Sequence, residues 1–378
     1  MWVFPFAYPS LYWLTIMSYL VAAGLFALSY DVVLGQTGIL SFGHAAAFGI
    51  AAYALYWTVH AGYPFLLGML AAMALGVLVN LAMGTALLRV KGVYFAMFTL
   101  AFAEAIYLFL SNQTSITGGT TGVVSPRPTF LQNPEIILVF SAILVIAALI
   151  AGYILVIHYF KRGEIAKSGL GLALVAVATG YSLYNLDSSL VSIVETPIAA
   201  FTMNAYFVSV LILFASYYFI SRLMRSRLGS VLIALRENDD RTAMIGYNTF
   251  GYKLVSMGIG GMFAGLAGSM IAAFATFIIT PDLMSSNYTV NVLLYSILGG
   301  IGTLVGPVIG AFIIEFLHFN IGYLSVLVGL PSLAVWWMLI IGVFYILVVL
   351  FIPYGIVGTV TSKRKHVVRY FKRLLRVT

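Results

Sequence analysis

The 378-residue chain contains no cysteine, which excludes disulfides and thiolate metal sites. Its five histidines are scattered, and no pair has the spacing of metal ligands, so no metal site is expected. Charge is scarce. Only 8% of the residues are Asp, Glu, Lys or Arg, against about 25% in soluble domains. No G-x-x-x-x-G-K-[ST] loop occurs, and no Gly-Lys pair is present to begin one. The chain is therefore expected to carry no ATPase site and no cofactor of its own. The absence of G-x-S-x-G and H-E-x-x-H removes the commonest hydrolase chemistry, and no catalytic residues are assigned. Few acids lie inside the apolar runs, which leaves a proton-relay pump little to work with.

What is present is grease. Hydrophobic residues make up 62% of the chain. Apolar runs long enough to cross a bilayer recur along most of it. The expected fold is an all-α polytopic membrane protein of roughly 10–11 transmembrane helices, some broken at glycines. One membrane domain covers residues 1–360, and 361–378 form a basic tail. The net charge is +8, and Lys363, Arg364, Lys365, Arg369, Lys372, Arg373 and Arg376 crowd that tail. They read as a cytoplasmic anchor to anionic headgroups rather than a nucleic-acid surface. No Lys or Arg precedes the first apolar run, so no cleaved signal peptide is expected.

The long polar passage inside the apolar chain is 228–248, LGSVLIALRENDDRTAMIGYN. Arg222, Arg225 and Arg227 lead into it. Ions this dense cannot sit in hydrocarbon, and loops rich in Lys and Arg stay on the cytoplasmic side. Leu232, Ile233, Leu235, Met244 and Ile245 suggest one or two short amphipathic helices. Segment 222–253 then reads either as a solvated loop or as a structured knob that docks a soluble partner.

Two stretches interrupt the apolar runs with glycine. LGQTGILSFG, from Leu34, resembles LGGIGTLVGP, from Leu298. The knob and the tail are both expected in the cytoplasm, so an even number of crossings must separate them. Treating 290–319 as two pieces broken at GGIGTLVGP satisfies that parity. A Gly-broken segment in each half fits an inverted repeat, with irregular backbone lining a cavity or a pathway. Counting back from Arg89 and Lys91 puts the N-terminus outside, unless the GQTG region is also re-entrant. Between 254 and 279, Gly258, Gly261, Gly265 and Gly268 recur at three- and four-residue steps. That spacing lets helix backbones approach closely.

Several passages together resemble the permease subunits of branched-chain amino-acid ABC importers, specifically the LivM-like half of the LivH/LivM pair. They are YDVVLGQTGILSFGHAAAFGIAAY (30–53), KGVYFAMFTLAFAE (91–104), TGGTTG (117–122), SRLGSVLIALRENDDRTAMIGYN (226–248), YKLVSMGIGGMFAGLAGSM (252–270) and PDLMSSNYTVNVLLYSILGGIGTLVGPVIGA (281–311). They follow the family's order across most of the chain. The resemblance implies a LivH-like second permease, two LivG/LivF-like ATPase subunits that use the ATP, and an extracytoplasmic solute-binding protein in a cytoplasmic membrane. It also implies that Arg236, Glu237, Asn238, Asp239, Asp240, Arg241, Met244 and Ile245 dock into the ATPase. ATP-driven closure would then rock the spans as rigid bodies. Residues 135–200 depart from the family pattern as an added helical pair around the hairpin KRGEIAK.

Candidate pathway residues cluster at the breaks. Gln36, Ser41 and His44 flank the first, although His44 reads more readily as a packing histidine between helices. Asn291, Gly299, Gly300 and Gly302 flank the second, where Asn291 is in position to bond exposed carbonyls. Glu104 stands mid-span, either meeting a substrate ammonium or bonding a neighbouring helix. Leucine, isoleucine and valine are the default solutes, and urea, short amides or other small organic solutes remain open. A channel or ion-coupled carrier without an ATPase would use the same Gly-broken segments. A membrane-embedded enzyme lacks any catalytic constellation.

Overall fold

A computed structural model describes residues 11–90, 92–132, 197–275 and 278–327, with helical positions 339, 342–343, 345–346, 350 and 355–359 beyond them. Lys91, the expected spans 136–159 and 169–184, and the basic tail lie outside the described residues. So does the added pair 135–200, except for the four residues that open a long helix.

The described residues are almost entirely helical. Helix α1 (Leu11–Tyr30) continues through a π-helical turn, Asp31–Gln36. It is followed by α2 (His44–His60), α3 (Phe65–Leu87) and α4 (Val93–Asn112). After the undescribed stretch come α5 (Pro197–Met224), α6 (Arg227–Glu237) and α7 (Asp239–Met244). Helix α8 (Thr249–Met270) ends in a second π-helical turn, Ile271–Ala275. Then α9 (Ser286–Gly299) and α10 (Val305–Leu327) complete the set. Among the described residues, five helices are long and apolar enough to cross a membrane: Leu11–Gln36, Phe65–Leu87, Val93–Asn112, Ala200–Met224 and Thr249–Ala275. Helix α9 has 14 residues. At about 1.5 Å per residue it is too short for a hydrocarbon core about 30 Å thick. The chain is broken at 300–304, between the end of α9 at Gly299 and the start of α10 at Val305.

The contacts divide the chain into two compact units, Met1–Tyr19 with Arg127–Ile212, and Leu20–Pro126 with Leu213–Thr378. In the first unit, Asn204 Nδ2 donates to the Leu131 carbonyl at 2.7 Å, and the Arg127 guanidinium lies 5.6 Å from the Phe201 ring centroid.

The second unit is built on α8, which packs against α2 and α3 while those two pack on each other. The glycine spacing explains how. A Cβ on Gly261 would collide with the Gly76 carbonyl, one on Gly265 with the Ala72 carbonyl, and one on Gly268 with the Phe48 carbonyl. Backbones this close leave dispersion and packing to hold helices where lipid offers no hydrophobic contrast. Gly258 is the exception, since its Cβ would meet only the Leu81 side chain.

At the end of the unit remote from α6 and α7, the loop after α4 is tied down. The Tyr53 hydroxyl donates to the carbonyls of Thr117 and Ile279, at 3.3 and 3.1 Å. Two short strands, β1 (Val123–Val124) and β2 (Ile278–Ile279), pair antiparallel with Val123 opposite Ile279. The run 111–135, rich in Ser, Thr, Gly and Pro, reads from sequence as a loop on the outer face, because a two-residue strand carries no periodicity.

Candidate functional site

The charged segment folds into two helices. Leu232 and Leu235 are buried under α6, which fixes its inner face. Asn238 ends α6 and caps α7, its Oδ1 accepting from the Arg241 N–H at 2.9 Å. That capping fixes the turn between the helices. Asn248 repeats the device at the start of α8, accepting from the Gly251 N–H at 3.1 Å.

The segment has two distinct faces. Met244 and Ile245, at the end of α7, are 84% and 77% exposed. Glu237, Asp240 and Arg241 are exposed beside them. Arg236 and Asp239 turn the other way. Asp239 Oδ2 pairs with Lys253 Nζ on α8 at 2.5 Å. Arg236 reaches the first glycine break, where its Nη1 donates to the Gly35 carbonyl at 2.6 Å.

The two breaks meet at that same point. Asp31, fully buried, is the knot between them. Its Oδ1 accepts from the Gly302 N–H at 2.7 Å. Its Oδ2 accepts from the Leu304 N–H at 3.1 Å and from Gln36 Nε2 at 3.2 Å. Gln36 Nε2 also donates to the Gly302 carbonyl at 3.0 Å. Backbone groups freed by unwinding at 300–304 thus find partners on the first break, as buried polar groups in a membrane require. Leu304 is held at φ 60°, a left-handed conformation that costs a branched side chain about 1–2 kcal/mol. Gly302 has φ 79°, and a Cβ there would strike Arg236 Nη1. One guanidinium therefore touches the backbone of both breaks.

The remaining sequence-predicted residues divide. Ser41 is buried at the first break, its carbonyl accepting from the Tyr30 hydroxyl at 3.0 Å. His44 lies in the packed interior. Asn80 Nδ2 donates to its Nδ1 at 3.3 Å, and its Nε2 bonds the Ser29 hydroxyl at 3.0 Å. The Phe26 ring stacks on it. That network joins α1, α2 and α3. Glu104 accepts from the backbone N–H of Ser286 at 3.1 Å and from its hydroxyl, and so caps α9 from α4. Gly299 packs on Gly306, and Gly300 takes φ 116° at the break. Asn291 does not serve the break carbonyls. It is exposed on the middle of α9, eight residues before Gly299, while Gln36 serves the Gly302 carbonyl and Asp31 the N–H groups of Gly302 and Leu304.

Sequence reasoning passed over Asp31 as the mere end of a span. The available signal was a carboxylate inside an apolar run, next to a glycine break. It also passed over Thr37, whose hydroxyl bonds that of Ser256 at 2.6 Å and fastens the break to α8.

The family model for the permease component of branched-chain amino acid transport systems matches residues 12–163 and 165–349. The high-affinity branched-chain amino acid transport system permease protein LivM of Escherichia coli (strain K12) is 26% identical over 297 residues, 77% of this chain and 59% of that protein. LivM of Salmonella typhimurium is 27% identical over 292 residues, 76% of this chain and 58% of that protein. The probable branched-chain amino acid transport permease protein LivM of Methanocaldococcus jannaschii is 25% identical over 262 residues, 64% of this chain and 75% of that protein. The chain spans about three fifths of the length of the two bacterial relatives. No solved structure matches. The chain belongs to the family of branched-chain amino acid transport permease components.

Proposed function

We propose that this chain is a permease subunit of an ATP-driven importer that carries branched-chain amino acids across the cytoplasmic membrane. It would work with a LivH-like second permease, two LivG/LivF-like ATPase subunits and an extracytoplasmic binding protein. ATP would enter only through those partner ATPases. The basic residues Arg222, Arg225 and Arg227 assign the α6–α7 face to the cytoplasm by the positive-inside rule.

The observation that carries the reading is Arg236. Its bond to Gly35 and its approach to Gly302 tie the exposed segment to both helix breaks at once. Force applied by an ATPase at Met244 and Ile245 would reach the breaks through α6 without passing through lipid-facing helices. Interfaces of this kind switch between discrete packings rather than deform continuously. The exposed Asn291 on α9 and the partly exposed Glu104 on α4 offer polar groups to a route shared with the second permease. Such groups inside a membrane mark pathways by default.

The test is co-purification followed by reconstitution. The tagged chain, expressed with its chromosomal neighbours, is expected to bring down a second permease and phosphate-loop ATPases. The purified assembly with its binding protein is then expected to accumulate leucine, isoleucine or valine only when ATP is supplied to the ATPase side. A chain recovered alone that moves solute without ATP would overturn the reading in favour of a carrier. ATP-driven uptake of urea or an amide, with no branched-chain uptake, would overturn the solute assignment alone.

A further inference from the structure

A cavity of about 420 Å³ lies between the first break, the turn joining α3 to α4, and the charged segment. That volume falls within the roughly 300–1,000 Å³ of small-molecule sites. Its walls are of two kinds. Arg236, Asp239 and Lys253 bring two cations and one carboxylate to it. Ile39, Leu88, Val90 and Phe95 make an apolar wall.

The charged wall has unused capacity. Arg236 spends Nη1 on the Gly35 carbonyl, and its other N–H donors are uncommitted among the described residues. Asp239 spends Oδ2 on Lys253, while its Oδ1 is buried with no hydrogen-bond partner among the described residues. A buried carboxylate oxygen without a donor is rare and calls for an explanation. Anion-binding donors, a carboxylate and an aliphatic wall in one cavity match one chemical class. That class is a zwitterionic α-amino acid with a branched aliphatic side chain.

We infer that this cavity is a binding site for such an amino acid on the cytoplasmic side, where accumulated product arrests import. The inference rests on the importer reading and adds a second site to it. The ligand carboxylate sits against Arg236 and Lys253, the ammonium against the accessible edge of the Asp239 carboxylate, and the side chain against Ile39, Leu88, Val90 and Phe95. A ligand so held joins the charged segment, the break and the α3–α4 turn. It opposes any motion that separates them, since it binds that arrangement in preference to others.

The test uses the complete importer in vesicles, with ATPases and ATP in the lumen and the binding protein and labelled L-leucine outside. The lumen is preloaded with millimolar unlabelled L-leucine, with L-leucinamide, which lacks the carboxylate, or with isocaproate, which lacks the ammonium. The readout is the ratio of initial uptake rates with and without preload, taken within each protein, so basal rate does not enter. Leucine is expected to lower the wild-type ratio several-fold, and the two analogues to leave it near one. Lys253→Met removes a charge, and Val90→Trp fills the cavity without touching one. Both are expected to bring the ratio with leucine back near one. A wild-type ratio of one with leucine, equal inhibition by leucinamide, or inhibition that survives in both variants would each overturn the site while leaving the importer reading intact. Absence of ATP-driven uptake without any preload would sink the importer reading and this site with it.

Discussion

Helices α8 and α4 are both apolar enough to cross a membrane, yet 72% of the α8 span is buried and only 22% of the α4 span is. Their side chains account for the contrast. Helix α8 carries glycine every three or four positions, and neighbouring carbonyls occupy the space that a Cβ would need. Helix α4 carries Tyr94, Met97, Phe98, Leu108 and Phe109 on an outward face, all more than half exposed. Hydropathy alone ranks the two helices together. Small-residue spacing separates the one that organises the bundle from the one that faces lipid or a partner. The sharpest way to break this comparison is to exchange bulk. Gly261→Leu is expected to leave no folded chain, because the nearest atom it meets is the Gly76 carbonyl of the α3 backbone, which cannot repack, with the Asn80 side chain beside it. Phe98→Leu is expected to change the chain's own stability by less than about 0.5 kcal/mol. Fluorescence-detected size exclusion after a heating series checks both, and equal melting of the two variants would erase the distinction.

Asp31 extends the buried side of the comparison from packing to polarity. Asp31→Ala leaves the N–H groups of Gly302 and Leu304 without their acceptor. At about 1 kcal/mol or more for each buried donor, the cost is about 2 kcal/mol or more. Strain at Leu304 adds to it, since the left-handed turn loses the bond that holds it. Thermal unfolding of the purified chain measures the loss. Asp31→Asn keeps one acceptor oxygen and is expected to fall between wild type and Asp31→Ala. A wild-type melting temperature for Asp31→Ala would mean that the breaks are held by other groups.

Much of this architecture was legible before any coordinates. The apolar runs, the amphipathic helical character of the charged stretch 228–248 and the glycine break at 300–304 follow from hydropathy, charge and glycine placement. The glycine spacing in 258–268 foretold a close-packed face. What stayed hidden depends on pairs far apart in sequence. Asp31 and Gly302 are separated by most of the chain, and nothing local to either announces the other. The β1–β2 pair is equally non-local. Asn291 misled because nearness in sequence to Gly299 says nothing about which side of α9 it occupies. In the charged segment, composition marked all the residues alike. Only geometry divides Arg236 and Asp239, turned toward the bundle, from Met244 and Ile245, turned away.

That division yields the next prediction. Arg236→Met removes the contact with Gly35 but leaves the tip of α7 unchanged. Under the proposed importer reading it is expected to keep the ATPases bound, since an exposed apolar pair can still dock. ATP hydrolysis should continue while uptake falls about tenfold or more, the signature of a lost link worth about 1.4 kcal/mol or more in the coupled step. Ile245→Asp is expected to do the reverse and weaken recovery of the ATPases during purification. Measuring hydrolysis, uptake and ATPase recovery on one preparation of each variant tests the two faces against each other. If both variants lose the ATPases equally, the inward and outward faces are one docking surface.

Glu104 gives the smallest expected effect, because it is the one carboxylate on the outward helix and its structural task tolerates substitution. Its Oε1 accepts from Ser286 at the start of α9. A carboxylate there is favoured by the helix dipole by about 0.3–1 kcal/mol, and a neutral acceptor keeps the hydrogen bond while losing the charge. Glu104→Gln is therefore expected to lower stability by no more than that range. Glu104→Ala, which removes the acceptor as well, is expected to cost about 1 kcal/mol. If capping is its whole role, both variants keep the wild-type KM for uptake. A several-fold rise in KM for Glu104→Gln, with stability and kcat unchanged, would assign the charge to a passing ammonium. The outward face of α4 would then border the transport route rather than lipid.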